Sequence, residues 1–362
     1  MKTYPKYFVA LGLPLAFLAG CAGAANTTTA QTSPLASTAE APEGSTAKAA
    51  EEKTGHKPAG AAGDLHALKH TTNLAFSSEP KAIPVGKPAT WTLKVTDAKS
   101  GAPVKDFEVE MTKKMHLIVV KNDLSWFNHI HPTLKENGTF VVTATLPTSG
   151  TYKLYADYTL KGSGQEVPQH EFATGGAASA PSSIELAPDK MQGPWLTKKF
   201  NAHPEGEPDA KGGAVYQVAL MPMPMPLIAG GDTMLHFQIR DEKNRPVKDL
   251  QPYLGAMGHC VILSQDTSKY LHSHPMAEGA EHDMSKMGAM DMSKMSHEAP
   301  PKSGGPNVMF HTNFPSGGLY KVWGQFQHKG KIITAAFVVN VGAAKAGAAS
   351  AATVDESKPH TH

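Results

Sequence analysis

Residues 116–120 read His116-Leu117-Ile118-Val119-Val120, and after a polar turn residues 127–132 read Phe127-Asn128-His129-Ile130-His131-Pro132. Two short runs rich in β-branched and aromatic residues on either side of a turn predict a β-hairpin. A hairpin centred between Asp123 and Leu124 sets His116 directly opposite His131. His129 then shares their face, because side chains alternate along a strand. Cross-strand partners stand ~4.5–5.5 Å apart at Cβ, close enough for three imidazoles to converge on one ion.

The same stretch returns further along the chain. His259-Cys260-Val261-Ile262-Leu263 and Tyr270-Leu271-His272-Ser273-His274-Pro275 follow at an offset of 143 residues, as does Pro246-Val247-Lys248-Asp249 after Pro103-Val104-Lys105-Asp106. The stretches 103–132 and 246–275 agree at 10 positions, and all three histidines are among them. Beyond the hairpin, Leu146-Pro147 with Gly150 and Tyr152 returns as Phe314-Pro315 with Gly318 and Tyr320, now at an offset of 168, so the second copy carries 25 extra residues. Further strand-like runs are Trp91–Val95, Phe140–Ala144 and Tyr152–Tyr155, punctuated by Gly, Pro and Asn-Gly turns, without helical periodicity. About seven short strands in about a hundred residues fit an immunoglobulin-like sandwich. The fold expected is all-β: two tandem immunoglobulin-like β-sandwich domains, at residues 69–175 and 213–341, joined by a connector at 176–212.

The ends read differently. Lys2 and Lys6 precede an apolar stretch, Phe8 to Gly20, too short to span a bilayer but suited to a signal-peptide core. It ends in Leu18-Ala19-Gly20-Cys21, which looks like a bacterial lipobox. Residues 1–20 are therefore expected to be a lipoprotein signal peptide, with lipidated Cys21 anchoring the chain to a membrane, facing the periplasm or exterior. Residues 21–68 and 342–362 are poor in large apolar side chains and are expected to be a disordered tether and tail. Lys and Arg exceed Asp and Glu by only 2 over 362 residues, which gives no electrostatic case for nucleic acid.

Composition turns attention to metal. The chain has 18 His and 16 Met but only 2 Cys. Three neutral imidazoles, at His116, His129 and His131 or at His259, His272 and His274, suit Cu(II), Zn(II) or Ni(II). The competing reading is that His-x-His-Pro stabilises a turn and holds no ion. Cys260 is expected to face the core, and no histidine follows it closely enough for a blue-copper site. The extra residues of the second copy fall in a methionine-rich insertion at about 276–305. Its Met284, Met287, Met290, Met292 and Met295, flanked by His282 and His297, sit among Gly, Ser and Lys with no apolar partner. Thioethers are soft ligands and favour Cu(I). Met221-Pro222-Met223-Pro224-Met225-Pro226 is expected to be an edge strand, since proline cannot donate to a ladder.

The Met-His strand start, the His-x-His-Pro and the closing Tyr320-Lys321-Val322-Trp323-Gly324-Gln325-Phe326-Gln327 resemble the YtkA-like group of secreted bacterial β-sandwich domains, and more loosely periplasmic copper-resistance proteins. That resemblance implies an immunoglobulin-like fold, an envelope location and an association with heavy metals. The function expected is copper sequestration or transfer in the cell envelope, with another envelope metal carrier or transporter as partner, and zinc as the other metal for the histidine sites. The rival is a non-catalytic interaction module with structural histidines. No nucleophile elbow, paired-carboxylate motif or phosphate loop points to an enzyme.

Overall fold

A computed structural model of the chain describes residues 63–64, 70–175, 186–275 and 301–344. The signal segment with Cys21, and Met284, Met287, Met290, Met292, Met295, His282 and His297 of the methionine-rich insertion, lie outside the described residues.

In chain order the first ten strands are β1 (Gly63–Asp64), β2 (Thr72–Glu79), β3 (Pro88–Asp97), β4 (His116–Lys121), β5 (Phe127–Ile130), β6 (Thr133–Leu134), β7 (Thr139–Thr145), β8 (Thr151–Leu160), β9 (Gly164–Glu166) and β10 (Gln169–Ala173). Eight more follow: β11 (Leu196–His203), β12 (Val215–Met223), β13 (Asp232–Asp241), β14 (His259–Ser264), β15 (Lys269–Ser273), β16 (Asn307–Asn313), β17 (Gly318–His328) and β18 (Lys331–Val341). The first sandwich opposes a sheet ordered β2-β3-β7-β6 to one ordered β10-β8-β4-β5, with β9 on β8. The second wraps a continuous path, β1-β15-β14-β17-β18-β11-β12-β13-β16. The fold is all-β, as the turn-punctuated strand pattern requires.

Each sandwich is filled by the inward residues of alternating strands. On β3, Trp91, Leu93 and Val95 are buried while Lys94 between them is exposed. They meet Leu117, Val119, Phe140, Tyr152 and Leu154 in the first core. The second core joins Val218, Leu220, Leu235, Phe237, Ile239, Ile262, Val322 and Phe337, and Cys260 lies in it as expected. One corner is built identically in both copies: the Tyr152 hydroxyl donates to the Thr148 carbonyl at 2.8 Å and the Tyr320 hydroxyl to the Ser316 carbonyl at 2.9 Å.

The connector is more than a link. Its Leu196–His203 segment is β11, which pairs with β12 through Leu196 to Asn201 and with β18 through Ala202 and His203, joining the two sheets of the second sandwich. Trp195 packs on the second copy, its ring 5.1 Å from that of His236. The methionine–proline run is not the edge strand expected: Met221, Pro222 and Met223 end β12, which lies between β11 and β13, and Pro224, Met225 and Pro226 follow it. Met221, Pro222 and Met223 pair only with β13, because β11 reaches no further than Leu220, so Pro222 has no ladder partner to deprive on that side.

The feature that positions the site is a third apolar cluster, between the sandwiches. β4 and β14 are buried along both faces. Leu117 and Val119 point into the first core, whereas Ile118 and Val120 pack across an interface with Val261, Leu263, Tyr270 and Trp323. Phe127 stacks on Trp323 at 4.7 Å between ring centroids, and Tyr155 on Tyr270 at 5.2 Å. Such pairs add about 0.5–1.5 kcal/mol each beyond their buried area. The loop after β11 closes over the first sandwich: the Trp126 indole N–H donates to Asp209 at 2.7 Å, and the Asn128 amide to the Gly206 carbonyl at 2.9 Å.

Candidate metal centre

The hairpin registers are those read from the sequence. β4 pairs with β5 as Leu117↔Ile130 and Ile118↔His129, and β14 with β15 as Cys260↔Ser273 and Val261↔His272. His116, His129 and His131 consequently form one group, and His259, His272 and His274 a second. Within each group the nitrogens that could bind an ion lie within 4.8 Å of one another.

Both groups stand on the interface face of their sheets, where the sequence reading had two separate sites. The rings of His116 and His272 are 5.2 Å apart, and those of His129 and His259 5.7 Å. The signal for this was present: strands apolar on both faces, unlike the alternating β3, announce that both faces are covered.

Hydrogen-bond accounting assigns the ring nitrogens. His116 Nε2 lies 3.1 Å from the Glu110 carbonyl and His259 Nε2 3.1 Å from the Tyr253 carbonyl. A carbonyl only accepts, so both Nε2 atoms carry hydrogen and both Nδ1 atoms are bare in the neutral ring. His129 Nδ1–H donates to Gln325 Oε1 at 2.8 Å, and His272 Nδ1–H to Asp157 Oδ2 at 3.0 Å, so that in the neutral rings their Nε2 atoms are bare. The bare nitrogens face each other, His116 Nδ1 to His129 Nε2 at 3.0 Å and His259 Nδ1 to His272 Nε2 at 3.3 Å. Two lone pairs at that separation repel unless a proton or a cation joins them. The third member of each group adds a buried nitrogen with no hydrogen-bond partner, His131 Nε2 in one and His274 Nε2 in the other.

A proton is disfavoured on His116, His129, His131, His259 and His274. Burial, reinforced by His272 and His131, pushes His116 down to about 3. Burial likewise holds His129, His259 and His274 well below the ordinary imidazole range, and their neighbouring imidazoles add to the effect. His131 is lowered by burial against the opposing pull of Glu205. A metal ion fits better: with metal–nitrogen lengths of about 2.0–2.1 Å, nitrogens in a tetrahedral or trigonal set stand about 3.3–3.6 Å apart.

The outer hydrogen bonds orient the donors, as partners behind metal-bound imidazoles do. They cross the interface. Asp157 and Gln325 occupy the same place in the two repeats, opposite His116 on β8 and opposite His259 on β17. Yet Asp157 of the first sandwich holds His272 of the second, and Gln325 of the second holds His129 of the first. Burial works against the Asp157 carboxylate, but the hydrogen bonds from His272 and Gln165 outweigh it and keep it below the usual range. Gln325 is aimed by Thr334, to which its amide donates at 3.3 Å. Glu205, in the loop after β11, accepts from His131 Nδ1 at 3.0 Å. Sequence reasoning missed Asp157, Gln325 and Glu205. The offset of 168 that aligned Tyr152 with Tyr320 also aligns Asp157 with Gln325, two polar residues inside apolar strands, and was the available clue.

The carbonyls are aimed by tight turns. Residues 110–113 close on themselves with Met111 and Thr112 at φ of 44° and 68°, and residues 253–256 with Leu254 and Gly255 at 53° and 78°. Such left-handed pairs are the geometry of two-residue hairpin turns. Cys260 takes no part: it is fully buried in the second core, and burial pushes its thiol up, away from the thiolate a metal needs.

Fold and site together define a class: a tandem β-sandwich protein with six histidines gathered where its halves meet. The family described as Domain of unknown function (DUF8832) matches residues 69–173 and 210–343, and the chain belongs to it. The resemblance to YtkA-like domains and copper-resistance proteins is carried by the motifs alone. No curated protein matches the chain. Among solved structures, the chain is similar to the Escherichia coli adhesin FdeC (15% identity, 74% of this chain and 64% of that one, TM-score 0.22). It is also similar to carbohydrate-binding modules of the β-sandwich superfamily (11% identity, 75% and 99%, TM-score 0.19). A third is a putative membrane-anchored protein from Corynebacterium diphtheriae (11% identity, 75% and 57%, TM-score 0.19). The chain thus spans less than two thirds of the first and third of these.

Proposed function

We propose that this protein is a lipid-anchored, extracytoplasmic metal-binding protein that sequesters copper or hands it on, without chemical turnover. The observation that carries the reading is that His116 Nδ1 and His129 Nε2, and His259 Nδ1 and His272 Nε2, face each other at 3.0 and 3.3 Å and are bare in the neutral rings. Copper is chosen over zinc because it uses both ligand types of this chain, imidazole in the sandwiches and thioether in the segment with Met284, Met287, Met290, Met292 and Met295. That segment, with His282 and His297, enters the proposal from composition alone, as does the anchor at Cys21.

Elemental analysis of the full chain purified from envelopes after growth with copper, and separately with zinc, tests the reading. The double variant His129→Ala, His131→Ala is expected to lose metal while circular dichroism still reports a β-protein. Metal content unchanged by that variant, or absent from the parent chain, would reject the reading and leave the histidines as packing groups of an interaction module.

A further inference from the structure

The two triads are close enough to act as one centre. Across the interface His116 stands 5.2 Å from His272 and 5.9 Å from His259, and His129 5.4 Å from His272 and 5.7 Å from His259, ring to ring. Within the triads the corresponding pairs are at 5.2 Å and 5.5 Å. Four rings, two from each sandwich, therefore pack as a single cluster, with His131 on one side and His274 on the other. Resting on the reading that these histidines hold metal, we propose that the cluster is a dinuclear centre for two univalent soft ions, Cu(I) or Ag(I), one in each triad.

Charge is the first argument. All six donors are imidazoles, which bind a metal ion in the neutral form. Among the described residues, one carboxylate stands behind each triad: Glu205 on His131 and Asp157 on His272. Each half then balances one positive charge. Two divalent ions would leave a surplus in a region where unpaired charge is costly, and their mutual repulsion would be roughly four-fold that of univalent ions at equal separation.

Donor number is the second. Each triad offers three nitrogens, and the rings are shielded: the His131 side chain is 4% exposed and the His272 side chain 3%. Zn(II) in structural sites takes four protein ligands. A univalent d10 ion is satisfied by a trigonal set of nitrogens. The crossed hydrogen bonds are the third argument, because each triad is oriented by the other sandwich and both are complete only when the halves are packed.

The test is an anaerobic titration of Cu(I), buffered by a colorimetric chelator. It uses the full chain with Met276→Ser, Met284→Ser, Met287→Ser, Met290→Ser, Met292→Ser and Met295→Ser, which removes the competing thioethers. Two ions per chain are expected, with His131→Ala removing one and His274→Ala the other. If alanine unfolds the chain, His131→Gln and His274→Gln serve the same count. Asp157→Asn is expected to weaken the ion on the His274 side about ten-fold while the other is held nearly as before. Two Zn(II) or Cu(II) ions bound as tightly as Cu(I) would overturn the univalent assignment. A single ion lost to either variant would overturn the dinuclear one, with the metal reading still standing. Failure to bind copper, silver or zinc at all would remove the metal reading itself.

Discussion

The two histidine triads share their strand register, their facing nitrogens and the carbonyl behind the first ring, and they differ in what orients the rest. In the second triad a buried carboxylate, Asp157, holds His272. In the first, the equivalent position is the neutral Gln325, and the carboxylate is instead Glu205, whose side chain is 50% exposed. The donors are alike while the groups behind them differ. The lesson is that donor spacing alone does not set the properties of a site, since a buried charge behind a ligand ring raises its basicity more than a solvated one.

The largest expected effect tests whether the halves depend on each other at all. Trp323→Ala removes the ring stacked on Phe127 and should cost about 3–5 kcal/mol in urea denaturation, with metal lost from both triads together. Loss from one triad only would mean that each sandwich holds its ion unaided.

Acid should act on both halves. His116 and His129 in one, and His259 and His274 in the other, have folded-state pKa values below the unfolded value of 6.5. The unfolded chain therefore binds more protons, so stability of the metal-free protein is retained above about pH 6.5 and declines as pH falls towards 3. At pH 5 His116 alone accounts for about 2 kcal/mol, readable as a falling thermal midpoint between pH 7.5 and 5. A flat profile would mean that the rings are already protonated or solvated.

Exchanging the orienting groups sharpens the comparison further. Gln325→Asp gives the first triad the carboxylate of the second, and competition titration should find its ion held up to about ten-fold more tightly. The smallest effect concerns the turns. Thr112 adopts a left-handed φ of 68° where the other repeat has Gly255 at 78°. Thr112→Gly should add about 0.5–1 kcal/mol of stability without changing metal content. The reverse change, Gly255→Thr, should destabilise, since a Cβ there would stand 3.1 Å from Thr112 Cγ2.

Much of this was legible in the residues. The repeated Pro-Val-Lys-Asp and His-x-His-Pro anchors gave the duplication, and the polar turn at residues 121–126 gave the hairpin register that joins His116, His129 and His131. Cys260 followed from alternation along β14. The apolar runs of β4 and β14 announced that their outer faces are covered, but not that each covers the other, because contact between two sandwiches is set by the outward faces of strands that pair independently. Ile118, Val120, Phe127, Val261 and Trp323 are ordinary strand residues until the faces they occupy are known. Leu196–His203 was hidden for a similar reason: an alternation interrupted by two lysines, Lys198 and Lys199, reads as linker unless β12 and β18 are placed on either side.

The exchange of partners between Asp157 and His272, and between Gln325 and His129, has a bearing on ancestry. A single-repeat ancestor that paired with its own copy about a two-fold axis would have offered each subunit's β-strand polar group to the other subunit's imidazole. Joining the two subunits in one polypeptide would preserve that reciprocity while freeing each side to drift, which is the pattern of one aspartate and one glutamine at matching positions.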